Sequence, residues 1–317
     1  MQNIINEWRK LNEKEKYNAI SQLKELYVSE QIEKEITQEN NIEPDKQDSH
    51  NTCHKIINKD FNSESTIDYI IQNKLCPNLI FTSPPYNAGI DYGNFDDKKT
   101  LDNYLGFLET FLTGCDKILK TGGRLAINIR DITIGSGSRY PIIVFLYNIL
   151  CKKIGYTYRG LHIWYKGREE SSLAWGSWMK SSNPSIIDLY EYVFIFQKGY
   201  YNSGIDDLEK TEFIESVLGV WKIRPVKKIS GKTKKNTMNH PCPFPVELPK
   251  RVIKLYSHVG DTVLDPFAGI CTTSLASAKI GRNSICIDIN KEYCEEGYNR
   301  MKKECGGIFS DTKIESL

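Results

Sequence analysis

The chain has 317 residues, with 42 lysines and arginines against 40 aspartates and glutamates, and a formal net charge of +2 at pH 7. This length suffices for one large or two smaller domains with buried cores, and the near-neutral charge means that any nucleic-acid binding must come from a local basic patch. No apolar run approaches the ~18–20 residues that span a bilayer. The charged N-terminus lacks the apolar core of a signal peptide, so we expect a cytoplasmic protein without a membrane partner.

The nine cysteines also exclude a class of site. None forms a Cys-x-x-Cys pair, and no cysteine–histidine cluster has the spacing of zinc ligands. The sequence therefore predicts no metal site, and reduced thiols are expected.

The N-terminal part differs in pattern from the rest of the chain. Apolar residues recur at helical spacing over 4–36, which predicts an N-terminal helical extension at 1–36. The next segment has no apolar period and contains Pro44 and several acids, so 37–53 is predicted to be a linker. A folded domain is expected over 54–317.

Strands and helices alternate in this domain. Runs rich in β-branched and aromatic residues predict strands at 54–58, 78–83, 124–130, 161–166, 192–197, 262–265 and 284–288. Helical spacing predicts helices at 101–119, 140–153, 246–257 and 272–280. This alternation is typical of a parallel sheet with helices on both faces. No helix is evident between 161–166 and 192–197, so these two runs are predicted to form a terminal antiparallel pair around a long insertion.

A proline corner follows the second predicted strand. Ser83-Pro84-Pro85-Tyr86 comes directly after apolar residues. Two adjacent prolines cannot continue a strand or a helix, because each fixes φ and removes a backbone donor. The chain therefore makes a rigid turn here, with an aromatic ring immediately behind it.

A glycine turn follows the sixth predicted strand. The strand ends on Asp265, Gly269 lies in the turn, and a helix opens at Thr272 and Thr273. An acid does not suit a phosphate site but suits an ammonium group, and Asp288, which ends the next strand, has the position of an acid that binds ribose hydroxyls. Ammonium and ribose without phosphate describe S-adenosylmethionine. The alternative is structural: an acid that caps the helix and an acid that only ends a strand.

Taken together, these stretches resemble the β group of amino-methylating DNA methyltransferases, which carry an Asp/Asn/Ser-Pro-Pro-Tyr/Phe loop before an Asp-Pro-Phe-x-Gly-x-Gly-Thr-Thr loop. Further matches are His240-Pro-Cys-Pro-Phe-Pro245, Trp164-Tyr-Lys166 and Glu191-Tyr-Val-Phe-Ile-Phe-Gln-Lys198, and the resemblance covers roughly 54–303. It implies an α/β fold: a doubly wound, mostly parallel seven-stranded sheet of the Rossmann-like S-adenosylmethionine-dependent methyltransferases, in permuted order, with a terminal antiparallel strand pair. Cys271 stands where the family has glycine, so either the turn tolerates a side chain or cofactor affinity is reduced.

The resemblance implies a catalytic role for the proline corner. In the family, the first side chain of the loop, here Ser83, and the carbonyl between the prolines, here that of Pro84, accept hydrogen bonds from the exocyclic amine of a flipped base. Pro85 keeps this geometry stiff, and Tyr86 stacks on the base. Serine is not a general base near pH 7, so it orients the amine.

The loop favours N4 of cytosine as the target atom, because Ser-Pro-Pro-Tyr is commoner in those enzymes, with N6 of adenine as the alternative. Methylation at carbon 5 would need a cysteine nucleophile in a Pro-Cys-Gln setting, which neither Cys76 nor Cys242 offers. An RNA methyltransferase and a non-catalytic DNA-binding subunit stay open as hypotheses, the latter only because of Cys271. The implied cofactor is S-adenosyl-L-methionine. The implied partner is double-stranded DNA, and a cognate restriction endonuclease and a homodimer are further expectations.

The resemblance also assigns site residues. Those implied to bind the cofactor are Asp60, Ser83, His240, Phe244, Asp265, Pro266, Phe267, Ala268, Gly269, Thr272, Thr273 and Asp288. For Asp60 and His240 an ordinary loop acid and a helix cap are the alternatives. Lys166, Glu191 and Lys198 are expected to be structural, with DNA contact as the alternative.

Two insertions, 167–191 and 199–239, are candidates for target recognition. No acid occurs between Ser216 and Val246, and this basic segment suits phosphate contacts, with Trp221 or Arg224 as base readers. A solvated basic loop is the alternative. The predicted DNA-binding residues are Trp175, Trp178, Lys222, Arg224, Lys227, Lys228, Lys232, Lys234 and Lys235.

Overall fold

A computed structural model describes residues 52–90, 95–134, 138–167, 177, 179–200, 204–226, 244–305 and 313–316. All of these residues belong to the unit Ser49–Leu317. The predicted extension at 1–36 and nearly all of the predicted linker at 37–53 lie outside the described residues. Within the described ranges, no helix has the length and apolar content needed to cross a membrane.

The strands and helices follow one another in the predicted alternation. The strands are β1 Cys53–Asn58, β2 Leu79–Thr82, β3 Arg124–Ile129, β4 Ile132–Ile134, β5 Ser138–Tyr140, β6 Thr157–Tyr165, β7 Tyr190–Gln197, β8 Val220–Lys222, β9 Thr262–Asp265, β10 Asn283–Asp288 and β11 Lys313–Ser316. The helices are α1 Glu64–Gln72, α2 Leu101–Ile118, α3 Ile142–Tyr147, α4 Lys210–Ser216, α5 Glu247–Tyr256, α6 Thr272–Lys279 and α7 Lys291–Cys305, and a π-helical segment, Asn148–Ile154, continues α3.

In the described part of the chain, nine strands form one sheet in the order β11-β1-β10-β9-β2-β3-β7-β6-β8, and β4 and β5 form a separate hairpin. Every neighbouring pair is parallel except the two that involve β7, which runs against β3 and β6. The predicted α/β fold with a mostly parallel sheet is confirmed, and all seven predicted strands are present. The predicted strand number was too small, because β8 and β11 extend the sheet. The antiparallel pair β6–β7 is consequently not at the edge.

Helices cover both faces of the sheet, which explains why the central strands read as continuous apolar runs. In β2 all four residues are buried. Ile80 packs into a cluster with residues of α1, α2 and α3, whereas Leu79 and Phe81 point to the other face and pack with α5. A strand with two buried faces favours apolar residues at successive positions. The run Leu79-Ile80-Phe81 is the pattern from which the sequence predicted β2.

The sheet directions bring the functional loops to one edge. β1, β2, β9 and β10 are parallel, so the residues at their carboxyl ends lie at the same edge of the sheet. β7 runs the other way, so its first residues, Tyr190 and Glu191, lie at this edge too. Ser83, Asp265 and Asp288 therefore converge with Glu191, although they are far apart in sequence.

Candidate active site

The proline corner is held by hydrogen bonds from both sides. The Tyr104 hydroxyl on α2 donates to the carbonyl oxygen of Pro85 at 2.6 Å. The Asp97 carboxylate accepts the backbone N–H of Asn87 at 2.8 Å, and it also accepts the N–H groups of the two nearby residues 88 and 90. No described residue donates to the carbonyl oxygen of Pro84. The corner is thus fixed in place, and within the described ranges the one carbonyl predicted to bind substrate has no donor.

Asp265 joins the two signature loops. Its carboxylate accepts the Thr82 hydroxyl at 2.7 Å, the Thr273 hydroxyl at 2.5 Å and the Phe267 backbone N–H at 3.2 Å. The residue is 0% exposed, and this burial raises the pKa of Asp265 to about 6, against the pull of its hydrogen bonds. Both of its oxygens accept hydrogen bonds from protein donors and Asp265 does not line the cavity. Its contact with an ammonium group stays a prediction.

Asp288 holds the glycine turn and still faces the cavity. One of its oxygens accepts the Gly269 N–H at 2.8 Å, and the other accepts the Asn290 N–H at 2.8 Å. Burial raises the pKa of the Asp288 carboxyl, and these two backbone donors counteract the rise. Each carboxylate oxygen has a second lone pair, so the residue can also accept hydroxyl groups of a ligand.

Cys271 fits into the turn because of a glycine on the neighbouring helix. The residue adopts a left-handed φ of 59° at the start of α6 and is buried. A Cβ at Gly297 of α7 would lie 2.5 Å from the Cys271 Sγ. The side chain therefore occupies space that Gly297 leaves empty, and it points away from the cavity. This packing favours tolerance of Cys271 over a defective cofactor loop.

A cavity of about 570 Å³ lies at this edge of the sheet, a size typical of ligand pockets, which measure ~300–1,000 Å³. The predicted site residues on its wall are Asp60, Ser83, Pro84, Pro85, Tyr86, Phe244, Pro266, Phe267 and Asp288. The sheet order places Asp60 and Asp288, beside β1 and β10, at one end of the wall. Ser83 and Tyr86 lie toward β3 and β7.

Other predicted cofactor residues do not reach the wall. Ala268, Gly269, Thr272 and Thr273 are buried beside Asp265 and do not line the cavity. The Thr272 hydroxyl accepts a hydrogen bond from Arg300 at 2.9 Å, which explains its orientation. His240 lies outside the described residues.

Among the wall residues that were not predicted to be catalytic or cofactor-binding, five lie on β3, β6 and β7 or directly after β3 and β6: Asn128, Arg130, Trp164, Lys166 and Glu191. Lys166 and Glu191 had been expected to be structural, yet they form an ion pair beside the proline corner. The signal in the sequence was an asparagine inside an apolar strand, Leu125-Ala-Ile-Asn-Ile129, and charged residues where β6 ends and β7 begins.

A chain of hydrogen bonds connects these residues to the corner. The Tyr86 hydroxyl lies 2.7 Å from the Ser83 hydroxyl and donates to the Glu191 carboxylate at 2.8 Å. The Asn128 amide nitrogen lies 2.7 Å from the same carboxylate oxygen, 2.8 Å from the Tyr86 hydroxyl and 3.3 Å from the Ser83 hydroxyl. The Lys166 ammonium donates to the other oxygen of Glu191. Serine, tyrosine and carboxylate therefore form one connected unit.

The basic segment begins at the rim of the cavity. Lys222 and Arg224 are exposed, and Pro225 and Val226 directly after them line the cavity. Trp221 cannot read bases as suggested: it is 1% exposed and stacks on a histidine ring with centroids 4.0 Å apart. The remaining predicted DNA-binding residues lie outside the described residues: Trp175, Trp178, Lys227, Lys228, Lys232, Lys234 and Lys235.

Comparison with known families agrees with this site. A family model described as DNA methylase (N6_N4_Mtase) matches residues 78–299. The chain belongs to this family of DNA methylases, so its substrate is DNA and its cofactor is S-adenosyl-L-methionine, as the two signature loops predicted.

Two relatives illustrate the range of the family. The type II methyltransferase M.HpaI of Haemophilus parainfluenzae is 32% identical over 239 residues, which cover 73% of this chain and 70% of the relative. The DNA adenine methyltransferase YhdJ of Escherichia coli is 28% identical over 236 residues, which cover 70% of this chain and 75% of the relative.

Solved structures share the fold. Thermus thermophilus TTHA0409 in complex with S-adenosyl-L-methionine matches with a TM-score of 0.59 at 23% identity, covering 83% of this chain and 99% of that one. The cytosine-N4-specific PvuII DNA methyltransferase matches with a TM-score of 0.54 at 18% identity, covering 75% of this chain and 88% of that one. At these identities the likeness shows the architecture.

Proposed function

We propose that this DNA methylase transfers the methyl group to the exocyclic N4 amine of a cytosine that is flipped out of the duplex. The observation that carries the proposal is the corner itself. Ser83, Pro84 and Tyr86 line the cavity, and the Pro84 carbonyl accepts no hydrogen bond from described residues. A serine in the first position of this loop favours cytosine over adenine in the family.

The geometry suits the chemistry of an exocyclic amine. Its lone pair is delocalised into the ring, so the nitrogen must become tetrahedral before it can attack a methyl group. Two acceptors, the Ser83 hydroxyl oxygen and the Pro84 carbonyl oxygen, hold the two amine hydrogens, and both hydrogen bonds strengthen as positive charge develops on nitrogen. The Tyr86 ring stacks on the base and keeps its plane fixed.

The other end of the cavity fits the cofactor. S-adenosyl-L-methionine supplies an electrophilic methyl group on a sulfonium. Asp288 offers two carboxylate oxygens for ribose hydroxyls, and Phe244, Phe267 and Pro266 offer apolar wall next to it. Asp60, exposed at the edge of the cavity, is proposed to reach the adenine ring. Asp265 acts indirectly, by fixing the turn that carries Pro266 and Phe267.

Lys222 and Arg224 are proposed to contact DNA phosphates at the cavity rim, together with the basic residues that follow them in sequence. The insertions at 167–191 and 199–239 are proposed to recognise the target sequence. A helical extension at 1–36, a homodimer and a partner restriction endonuclease are proposed as well.

The test is to incubate the full chain with labelled S-adenosyl-L-methionine and unmethylated amplified genomic DNA, and then to separate the digested nucleosides. We expect the label in N4-methylcytidine. Label in N6-methyladenosine would reject the cytosine assignment, and label at carbon 5 would reject the mechanism. Tyr86→Ala should lose most of the turnover and keep cofactor binding by calorimetry nearly unchanged. Equal loss of both would contradict the role given to Tyr86.

A further inference from the structure

Glu191 is the residue on which the hydrogen-bond chain at the proline corner converges. It is the second residue of β7, is 7% exposed, and pairs across the sheet with Trp164 of β6. Its carboxylate accepts hydrogen bonds from three groups: the Tyr86 hydroxyl, the Asn128 amide and the Lys166 ammonium. A carboxylate can only accept, so it fixes the direction of each of these bonds.

These directions determine what Ser83 can do. The Tyr86 hydroxyl has one proton and donates it to Glu191 at 2.8 Å. The contact of 2.7 Å between the Ser83 and Tyr86 hydroxyls must then have Ser83 as its donor. The Ser83 proton therefore points at the Tyr86 oxygen. One lone pair of the Ser83 oxygen faces the Asn128 amide nitrogen at 3.3 Å, and the other remains for an incoming amine hydrogen.

We propose that Glu191 is a positioning residue that acts through the Tyr86 hydroxyl to keep Ser83 an acceptor toward the target amine. This inference rests on the proposed function, since it explains how a serine, which could equally donate, serves an amine that presents hydrogens. Lys166 keeps the carboxylate in place, because it donates to the oxygen that Tyr86 does not use.

Removing the carboxylate should reverse the direction of the hydrogen bond between the Ser83 and Tyr86 hydroxyls. Without Glu191 the Tyr86 proton has two acceptors within reach: the Ser83 oxygen at 2.7 Å and the Asn128 carbonyl oxygen at 3.2 Å. The shorter contact favours Ser83, which then accepts from Tyr86 and turns its own proton toward the cavity. A donor would then face the amine hydrogens, and the transition state would lose one of its two acceptors.

The experiment compares Glu191→Met, which keeps the length of the side chain, with Glu191→Gln, which keeps an acceptor. Single-turnover methylation of unmethylated amplified DNA is measured with saturating S-adenosyl-L-methionine. Glu191→Met should slow methyl transfer by about 100–1,000-fold, the order expected for one lost hydrogen-bonding group at a reacting centre. Glu191→Gln should recover the rate to within a few-fold of the wild-type chain. Cofactor affinity by calorimetry should be unchanged in both variants.

A double-mutant cycle with Tyr86→Phe separates positioning from a general structural role. Tyr86→Phe keeps the stacking ring and removes the hydroxyl through which Glu191 is proposed to act. Glu191→Met should therefore slow the wild-type chain but add nothing in the Y86F background. Equal slowing in both backgrounds, or a loss of cofactor affinity, would overturn the proposal and leave a structural role.

A second readout does not depend on catalysis. Donation to a carboxylate protects the Tyr86 hydroxyl proton from exchange, so its proton NMR signal should be present in the wild-type chain and in Glu191→Gln. It should be shifted or broadened in Glu191→Met. An unchanged signal in Glu191→Met overturns the inference even if the wild-type chain methylates DNA. Absence of methyl transfer by the wild-type chain contradicts the proposed function alone.

Discussion

Gly297 should be one of the least replaceable residues of the cofactor half, although it lies outside both signature loops. In the middle of a helix, Gly→Ala normally stabilises by about 1 kcal/mol. Here a Cβ would lie 2.5 Å from the Cys271 Sγ, 3.1 Å from its Cβ and 3.2 Å from the carbonyl carbon of Ile270. Overpacking of this kind costs about 1–3 kcal/mol. Because a contact of 2.5 Å corresponds to the upper end of that range, Gly297→Ala should lower the free energy of unfolding by about 2 kcal/mol after the usual helical gain is subtracted.

The cost should depend on Cys271. Cys271→Gly removes the strain of the left-handed backbone conformation, which is about 1–2 kcal/mol. It loses about as much stability, because the buried side chain is removed and the unfolded chain gains entropy. Alone it should therefore be nearly neutral. In C271G/G297A the alanine methyl enters the space that the sulfur leaves, so the double variant should be close to the wild-type chain. The coupling energy should be about 2 kcal/mol or more.

Urea unfolding of the full chain measures these differences, provided that the m-values agree. Gly106→Ala on α2 is the matched control, because a Cβ there has nothing within 4 Å. It should stabilise by about 0.5–1 kcal/mol, as an unhindered helical glycine does. The packing argument fails if Gly297→Ala stabilises as Gly106→Ala does, or if its cost persists when Cys271 is glycine.

Three further predictions concern charged residues. Burial raises the pKa of Asp265 from 3.8 to about 6, so ionisation of Asp265 above pH 6 lowers the free energy of unfolding by up to about 3 kcal/mol. The free energy of unfolding should therefore rise as the pH falls from 6 to 4, and Asp265→Asn should remove this part of the pH dependence. Asp207→Asn should lower the free energy of unfolding in urea by about 3 kcal/mol, because it leaves the fully buried Arg282 guanidinium without the carboxylate it contacts at 2.6 and 2.7 Å. Glu247→Gln, which removes a partly exposed ion pair within one helix, should lower it by less than about 0.5 kcal/mol. Arg224→Ala should weaken DNA binding similarly on all sequences and lower the slope of log affinity against log salt by about 1, and an unchanged slope would remove Arg224 from the phosphate contacts.

The strands that the sequence predicted best are those whose two faces are both buried. In β2, β3, β9 and β10 every residue except some at the strand ends is buried, and each boundary was predicted to within about one residue. β8 and β11 have three and four residues. Both lie at the edges of the sheet, and they form because a neighbouring strand offers a free edge.

The site was predictable where one loop contains the whole signal. Ser83 and Tyr86 share a rigid corner, so their proximity follows from local sequence. Asp265 was assigned to the ligand from its place before the glycine turn, and the sequence did not reveal that Thr82, 183 residues away, donates to its carboxylate. Nothing local shows that a buried acid is already satisfied by a hydroxyl from another strand. Glu191 was missed for the same reason, since its role depends on strand pairing and not on its neighbours in sequence.

The direction of β7 makes the polar chain at the corner possible. In a wholly parallel sheet, the first residues of a strand lie at the edge opposite to the ligand, and Glu191 would be far from Ser83. Because β7 is reversed, Glu191 meets the carboxyl end of β6 next to Trp164 and lies near Asn128 of β3. In the proposed mechanism, the acceptors for the amine are thus oriented through Glu191 and Asn128, which lie on strands. A site that must hold two acceptors within a few tenths of an ångström benefits from such support.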